Sequence, residues 1–469
     1  MPHAVGGEEP CRWESELHRE RLRRLNYTRK LLVNVATHFN ADTGTYSVFC
    51  DFSTTGKGGF EDGQVFFNTF NETVALAANL VRSRQSAADA CFASLFVPAS
   101  IFRYTAVRFS EPISCHLAMQ AYDLAGAYSH FVIGAAATGR RDQLAFVPAI
   151  SSVRPQVRHK ELPGGVATTF TGGVDSWFSI VQHRSEVTDL LYLMNVDVDS
   201  KTYPLWWRKT LAVLQTVASQ EAKRLVLMDT NLRTLWMKRW LAPKQRLGHV
   251  HTSVKSLSTD TYVLVGPSRE ASPWSTIMHG YVISAAAHTL GFRLQKLYLP
   301  STHTYRDPFP WGSHPMVDHL WSSDSLSVVH DGSYATRVAK TMAVASNPTA
   351  QHSLRVCQGT CSKRKTAEET RARREVCQNS DYVLNCGFCD KCLRTMAALE
   401  LSGHRPLCTA FKNVSIDVLV SRIGNLPPFK GLKVDDNVLS FWREIYEVAA
   451  ERKHVQLLQV LRRAFTKRN

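Results

Sequence analysis

Five apolar runs separated by helix-patterned stretches constrain this chain more than any other feature. They are VATTF (166–170), LLYLMNVDVD (190–199), RLVLMDTN (224–231), LQKLYLP (294–300) and LSVVHDG (326–332). Between them lie RKTLAVLQTVASQEAK and TIMHGYVISAAAHTL, whose apolar residues recur at helical spacing. Continuous β-rich runs alternating with helices predict an α/β fold, with a mainly parallel sheet covered by helices. The alternation breaks at 241–275, rich in Pro, Ser and His, which reads as an insertion. At 469 residues the chain is too long for one ordinary core. We divide it into an N-terminal α+β domain at 1–155, an α/β domain at 163–350, and a cysteine-bearing helical region at 351–469.

The first domain opens on a polar leader and a basic helix-like run, SELHRERLRRLNYTRKLL. Strand-like pieces follow: TYSVFCDF, GQVFFN and CFASLFVP. QLAFVPAISSVRPQVRHKELPGG (143–165) reads as a linker. No charged leader followed by an apolar run opens the chain, and no segment reaches the roughly 18 apolar residues of a membrane span. We therefore expect a cytoplasmic protein with reduced thiols and no membrane partner. The formal net charge of +16 favours acidic partners, nucleotides and nucleic acid among them.

At the tip of the first run the sequence reads FTGGVDSWFSI. In a parallel sheet, ligands sit beyond the carboxyl ends of the strands. Paired glycines let backbone N–H groups approach a phosphate, and the next helix adds its positive end. Gly172 and Gly173 supply the turn, Thr171 and Ser176 the hydroxyls, and Val174 begins the helix. Asp175 is placed to cap that helix or to help hold Mg²⁺. The plain alternative is a Gly-Gly turn with an Asp cap. No Gly-Lys-Ser/Thr follows, so this is not a Walker A loop.

A second signal is CQNSDYVLNCGFCDKCLRTM (377–396), with Cys386, Cys389 and Cys392 spaced C-x2-C-x2-C. Thiolates on so tight a loop suit tetrahedral Zn²⁺, and Gly387 allows the turn. Cys377 is the preferred fourth ligand because its loop to Cys386 is shorter; Cys357 and Cys361 are the alternatives. An iron–sulfur cluster would accept the same thiolates. The charged stretch SKRKTAEETRARR between Cys361 and Cys377 reads as a solvated face.

TGGVDS resembles the SGGxDS loop of the N-type ATP pyrophosphatases, the PP-loop superfamily, with Thr171 in place of the first serine. The series TNLR, PWGSHP, HDG and CGxCxKCLRT is similar to 7-cyano-7-deazaguanine synthase-like members, over roughly residues 165–400. The resemblance implies a Rossmann-like, HUP-type parallel sheet with helices on both faces and a C-terminal region stapled by structural Zn²⁺. It also implies ATP cleaved to AMP and pyrophosphate, with Asp175 and Ser176 as catalytic residues. Thr171, Gly172, Gly173, Val174, Asp175 and Ser176, with Asn195 and Asp197 at the next strand end, would bind ATP. Asn231 and Arg233 end the third strand.

The stretch 307–332 is dense in His, Asp, Trp and Ser. From it we take Trp311, His314, Asp318 and Asp331 as substrate contacts, with Asp324 and His330 as further candidates. Arg337 is a further substrate contact, and Arg337 and Lys340, at helical spacing beyond, would neutralise phosphate charge. The expected reaction joins a small-molecule acyl substrate to an amine or ammonia. A tRNA-modifying enzyme is the first alternative, although no cysteine lies between 116 and 356 to serve thiolation. A non-catalytic nucleotide-binding zinc protein is the second. A homodimer is compatible with each of these readings.

Overall fold

The computed structural model describes residues 29–55, 61–70, 80–102, 104–133, 147–155, 164–240, 274–309, 311–357, 384–430 and 436–465. The basic N-terminal run up to residue 28, the insertion from 241 to 273 and the charged stretch 362–374 lie outside them. Ten strands are described: β1 (Lys30–Asn40), β2 (Thr45–Thr55), β3 (Gly63–Thr69), β4 (Ala106–Ile113), β5 (Ala149–Val153), β6 (Gly165–Thr169), β7 (Asp189–Met194), β8 (Arg224–Thr230), β9 (Leu294–Pro300) and β10 (Ser327–Asp331). They form one mostly parallel sheet in the order β10-β9-β6-β7-β8-β3-β2-β1-β4-β5. The five runs of the opening pattern are β6 to β10, so the expected α/β class with a parallel core is present.

The chain clusters into two compact units, each discontinuous in sequence. One comprises Met1–Ala167, Val226–Leu299 and Pro310–His330; the other comprises Thr168–Leu225, Pro300–Phe309 and Asp331–Asn469. The sequence division was into contiguous stretches.

In the first unit, β1, β2 and β3 form an antiparallel meander, joined to β8 by the short antiparallel register Phe67↔Thr230 to Thr69↔Met228. Asn231 works at this seam, accepting from Phe66 N–H at 3.1 Å and donating to the Gln64 carbonyl at 2.8 Å. Two sequence readings are corrected here. CFASLFVP is not a strand but part of the helix Leu80–Ile101. This helix is buried on all sides from Ala87 to Ala99, so its apolar residues show no period by which to tell helix from strand. The supposed linker contains β5, which pairs in parallel with β4.

The expectation of reduced thiols is also corrected, because Cys50 on β2 is disulfide-bonded to Cys91 on this helix. Buried Asp89 meets Arg154 at 2.6 Å and accepts from the Ser114 N–H at 2.7 Å. Asp324, a candidate substrate residue, sits beside the same arginine at 3.7 Å and reads as part of this structural ion group.

Backbones in this unit approach closely at Gly280 and Gly312. The Gly280 N–H donates to the Gly312 carbonyl at 3.0 Å, and a Cβ on Gly280 would lie 2.0 Å from that oxygen. Gly280→Ala should therefore force the backbone apart and lower unfolding free energy by about 1–3 kcal/mol. Chemical denaturation of the full chain measures it; an unchanged midpoint would contradict the packing described.

In the second unit, the helices Val174–Gln182 and Arg337–Ala345 pack together. Asp331, at the end of β10, ties the first of these down: Ser179 Oγ donates to it at 2.5 Å and His183 Nε2 lies 3.0 Å away. Four further helices, Asp390–Leu401, Ile416–Gly424, Asp436–Glu451 and Val455–Phe465, follow as expected for a helical C-terminal region. Buried Trp442 holds two of them together, its Nε1–H donating to Asp390 at 2.8 Å. Among the described residues no helix is long and apolar enough to cross a membrane.

Candidate phosphate loop and four-cysteine centre

Residues 171–176 bridge the end of β6 and the helix Val174–Gln182. Gly172 adopts φ +80°, a region costly for any residue with a Cβ. Gly173 is the N-cap in extended conformation, and no side chain caps this terminus. Its first N–H groups, with the positive end of the helix dipole, are therefore available to an anion. Thr171 is exposed, and Gly173 and Asp175 are half-buried, so the outer face of the loop is open. Ser176 is turned inward, its Oγ donating to the Gly173 carbonyl at 3.0 Å.

The inner face rests on a segment the motif does not reveal. The Arg355 N–H donates to the Gly172 carbonyl at 2.7 Å, and its guanidinium donates to the Thr171 carbonyl at 2.7 and 3.1 Å. The same buried guanidinium pairs with Asp197. Burial opposes the Arg355 charge, yet the Asp197 carboxylate keeps its pKa above the ordinary value. A Cβ on Gly172 would sit 3.3 Å from Arg355 Cβ. Asn195, at φ 61°, turns the chain out of β7 and accepts from Ser200 N–H and Oγ at 3.1 and 2.8 Å.

Cations gather around Asp175. Arg337 Nη1 donates to its Oδ2 at 2.6 Å, and Lys340 Nζ lies 3.9 Å from Oδ1. Lys340 is buried and donates to Ser301 Oγ and carbonyl at 2.8 and 2.7 Å. Burial pushes its pKa down, opposed first by Asp175. Lys391 is pushed down by burial and then by Arg337 and Arg394, with Asp197 and Asp175 opposing. Buried Glu444 is pushed up by desolvation while accepting from the Arg337 N–H at 2.9 Å. These surroundings disfavour uncompensated positive charge, so an added anion would relieve them.

Four thiols, Cys357, Cys386, Cys389 and Cys392, place their sulfurs within 4.8 Å of one another. Cys386 Sγ and Cys392 Sγ are 3.8 Å apart, matching the sulfur spacing of about 3.8 Å that tetrahedral Zn–S bonds of about 2.3 Å imply. The Cys389 and Cys392 N–H groups point at Cys386 and Cys389 sulfurs at 3.4 and 3.5 Å, which favours thiolate. Cys389 also N-caps the helix Asp390–Leu401. Gly387 makes the turn at φ +71°. The donor set fits a metal ion such as zinc. Cys377, the preferred ligand from sequence, lies outside the described residues, and the group of four is complete without it.

Asn385 builds this centre and escaped the sequence reading. Its Oδ1 accepts from Val356 and Cys357 N–H at 2.9 and 3.1 Å, and its Nδ2 donates to the Leu354 and Ala410 carbonyls at 2.8 and 2.9 Å. Two short segments are thereby joined. One carries Arg355 under the loop; the other opens the helix that carries Lys391 and Arg394. Nothing local marks Arg355 or Asn385, because each matters only through partners distant in sequence.

Of the expected site residues, Thr171–Ser176, Asn195, Asp197, Asp331 and Arg337 all belong to the second unit. Trp311, His314 and Asp318 belong to the first, where Asp318 is fully buried. Asp318 accepts from Ser313 Oγ at 2.5 Å and the His314 N–H at 3.1 Å, and lies 2.7 Å from His330 Nδ1. Trp311 packs edge-on to His279 at 6.0 Å. Burial, and then His330, push the pKa of His314 down. This cluster ties the 313–318 turn to His330 on β10. No family model, curated protein or solved structure matches the chain.

Proposed function

We propose that the chain is an ATP-dependent adenylating enzyme of the PP-loop type, a C–N ligase built on a Rossmann-like, HUP-type sheet. The observation that carries this reading is an uncapped helix terminus, opened by Gly172 at φ +80°, with Arg337 and Lys340 at Asp175 and Arg355 beneath the loop. Such a surround fits the pyrophosphate part of a nucleotide. A carboxylate or amide oxygen of the acyl substrate attacks the α phosphorus. The bond from that phosphorus to the bridging oxygen breaks, and pyrophosphate leaves into the loop. An amine or ammonia then attacks the acyl carbon and releases AMP.

Backbone N–H groups of 173–176 hold the leaving oxygens, while Lys391 and Arg337 neutralise their charge. Asp175 would hold Mg²⁺, which would supply further charge neutralisation. Zn²⁺ would be structural, since four thiolates leave no open position.

Pyrophosphate release from ATP and Mg²⁺ with candidate acyl acids tests the reading. Lys391→Ala should lower kcat/KM by about 10²-fold, the usual cost of one lost stabiliser of developing charge. Pyrophosphate release that is unaffected by both Asp175→Ala and Lys391→Ala would remove the site from consideration.

A further inference from the structure

Behind the loop, the second unit holds a small cavity of about 10 Å³, lined by Arg337, Val338, Thr341, Arg394, Thr395, Ala398, Phe441 and Ile445. Only Arg394 and Arg337 bring charge to it. Arg394 is 7% exposed and stacks on Phe441 with its guanidinium carbon 4.3 Å from the ring centre. Its Nε lies 2.8 Å from Asp390 Oδ2 but off the line a hydrogen bond needs. Its Nη1 is buried and has no protein acceptor among the described residues. Arg337 approaches the same ring at 6.0 Å. Both threonine hydroxyl protons are committed elsewhere: Thr341 donates to the Arg337 carbonyl and Thr395 to the Lys391 carbonyl, each at 2.8 Å.

A buried donor left without an acceptor is costly. The space suits one small occupant, and a monatomic anion is the compact one that brings negative charge. We propose that it is a halide site, holding one chloride ion between Arg394 and Arg337. Chloride accepts from the orphaned Nη1, and the apolar walls of Val338, Ala398 and Ile445 ask nothing of it. Because Arg337 also grips Asp175, an occupied site fixes one of the loop's cations from behind. The site stands whether or not the chain turns over ATP.

Crystals of the full chain soaked in bromide test it directly. The expected result is an anomalous peak in the cavity, within hydrogen-bonding distance of Arg394. In solution, Tm in chloride should exceed that in gluconate at equal ionic strength by on the order of 2 °C. Ala398→Val, which fills the space, should fold and lose that difference. A water molecule in the cavity with no bromide peak overturns the proposal, as does an undiminished chloride response in Ala398→Val.

Discussion

Arg355→Ala should destabilise the second unit by about 3–5 kcal/mol, the cost typical of breaking a buried ion pair from one side. The substitution leaves Asp197 without its guanidinium and removes two donors from the Thr171 carbonyl. It spares the main-chain bond from residue 355 to Gly172, so the loop loses its support without losing its covalent frame. Arg355→Lys keeps the charge but cannot fork between carbonyl and carboxylate, and should recover less than half of the loss. Denaturant unfolding of both variants measures this. Wild-type stability in Arg355→Ala would show that the loop does not lean on this residue.

The second large effect is expected at the four-cysteine centre. Wild-type protein should carry about one zinc ion per chain, and Cys392→Ala should retain almost none. Binding requires thiolates, so zinc uptake by the chelated protein should release protons and weaken as pH falls. Loss of metal frees the segment of Cys357 from that of Cys386 to Cys392, leaving Asn385 as the principal tie between them. Cooperative unfolding should then give way to a broadened transition. Elemental analysis and thermal melting read these outcomes; full zinc content in Cys392→Ala would contradict the ligand set.

How much was legible follows from how local each signal is. Gly172-Gly173 and the C-x2-C-x2-C run declare themselves within a few residues, since a positive φ and a thiol cluster each demand particular residue types at close spacing. The buried strands β6 to β10 are equally plain, because β-rich apolar runs alternating with helix-patterned stretches have few other uses. CFASLFVP misled because a helix buried on every side shows no period, and β5 because five residues flanked by turn formers resemble a linker. Preference for Cys377 over Cys357 rested on loop length. Closure entropy grows only slowly with length, so spacing alone does not single out a fourth ligand, whereas Asn385 ties Cys357 to the other three thiols. Arg355, Lys391 and Glu444 are silent in the sequence because a charge acquires its meaning from partners brought to it by the fold. His314 and Asp318 show the reverse, a polar cluster plain in the sequence whose hydrogen bonds reach Ser313 and, across to β10, His330.

The most direct measurement is a crystal structure of the protein soaked with Mg²⁺ and a non-cleavable α,β-methylene analogue of ATP. The β and γ phosphates should be seated on the N–H groups of Gly173 to Ser176, with Lys391 and Arg337 turned toward them. A nucleotide bound elsewhere, or an empty loop at saturating analogue, would contradict it.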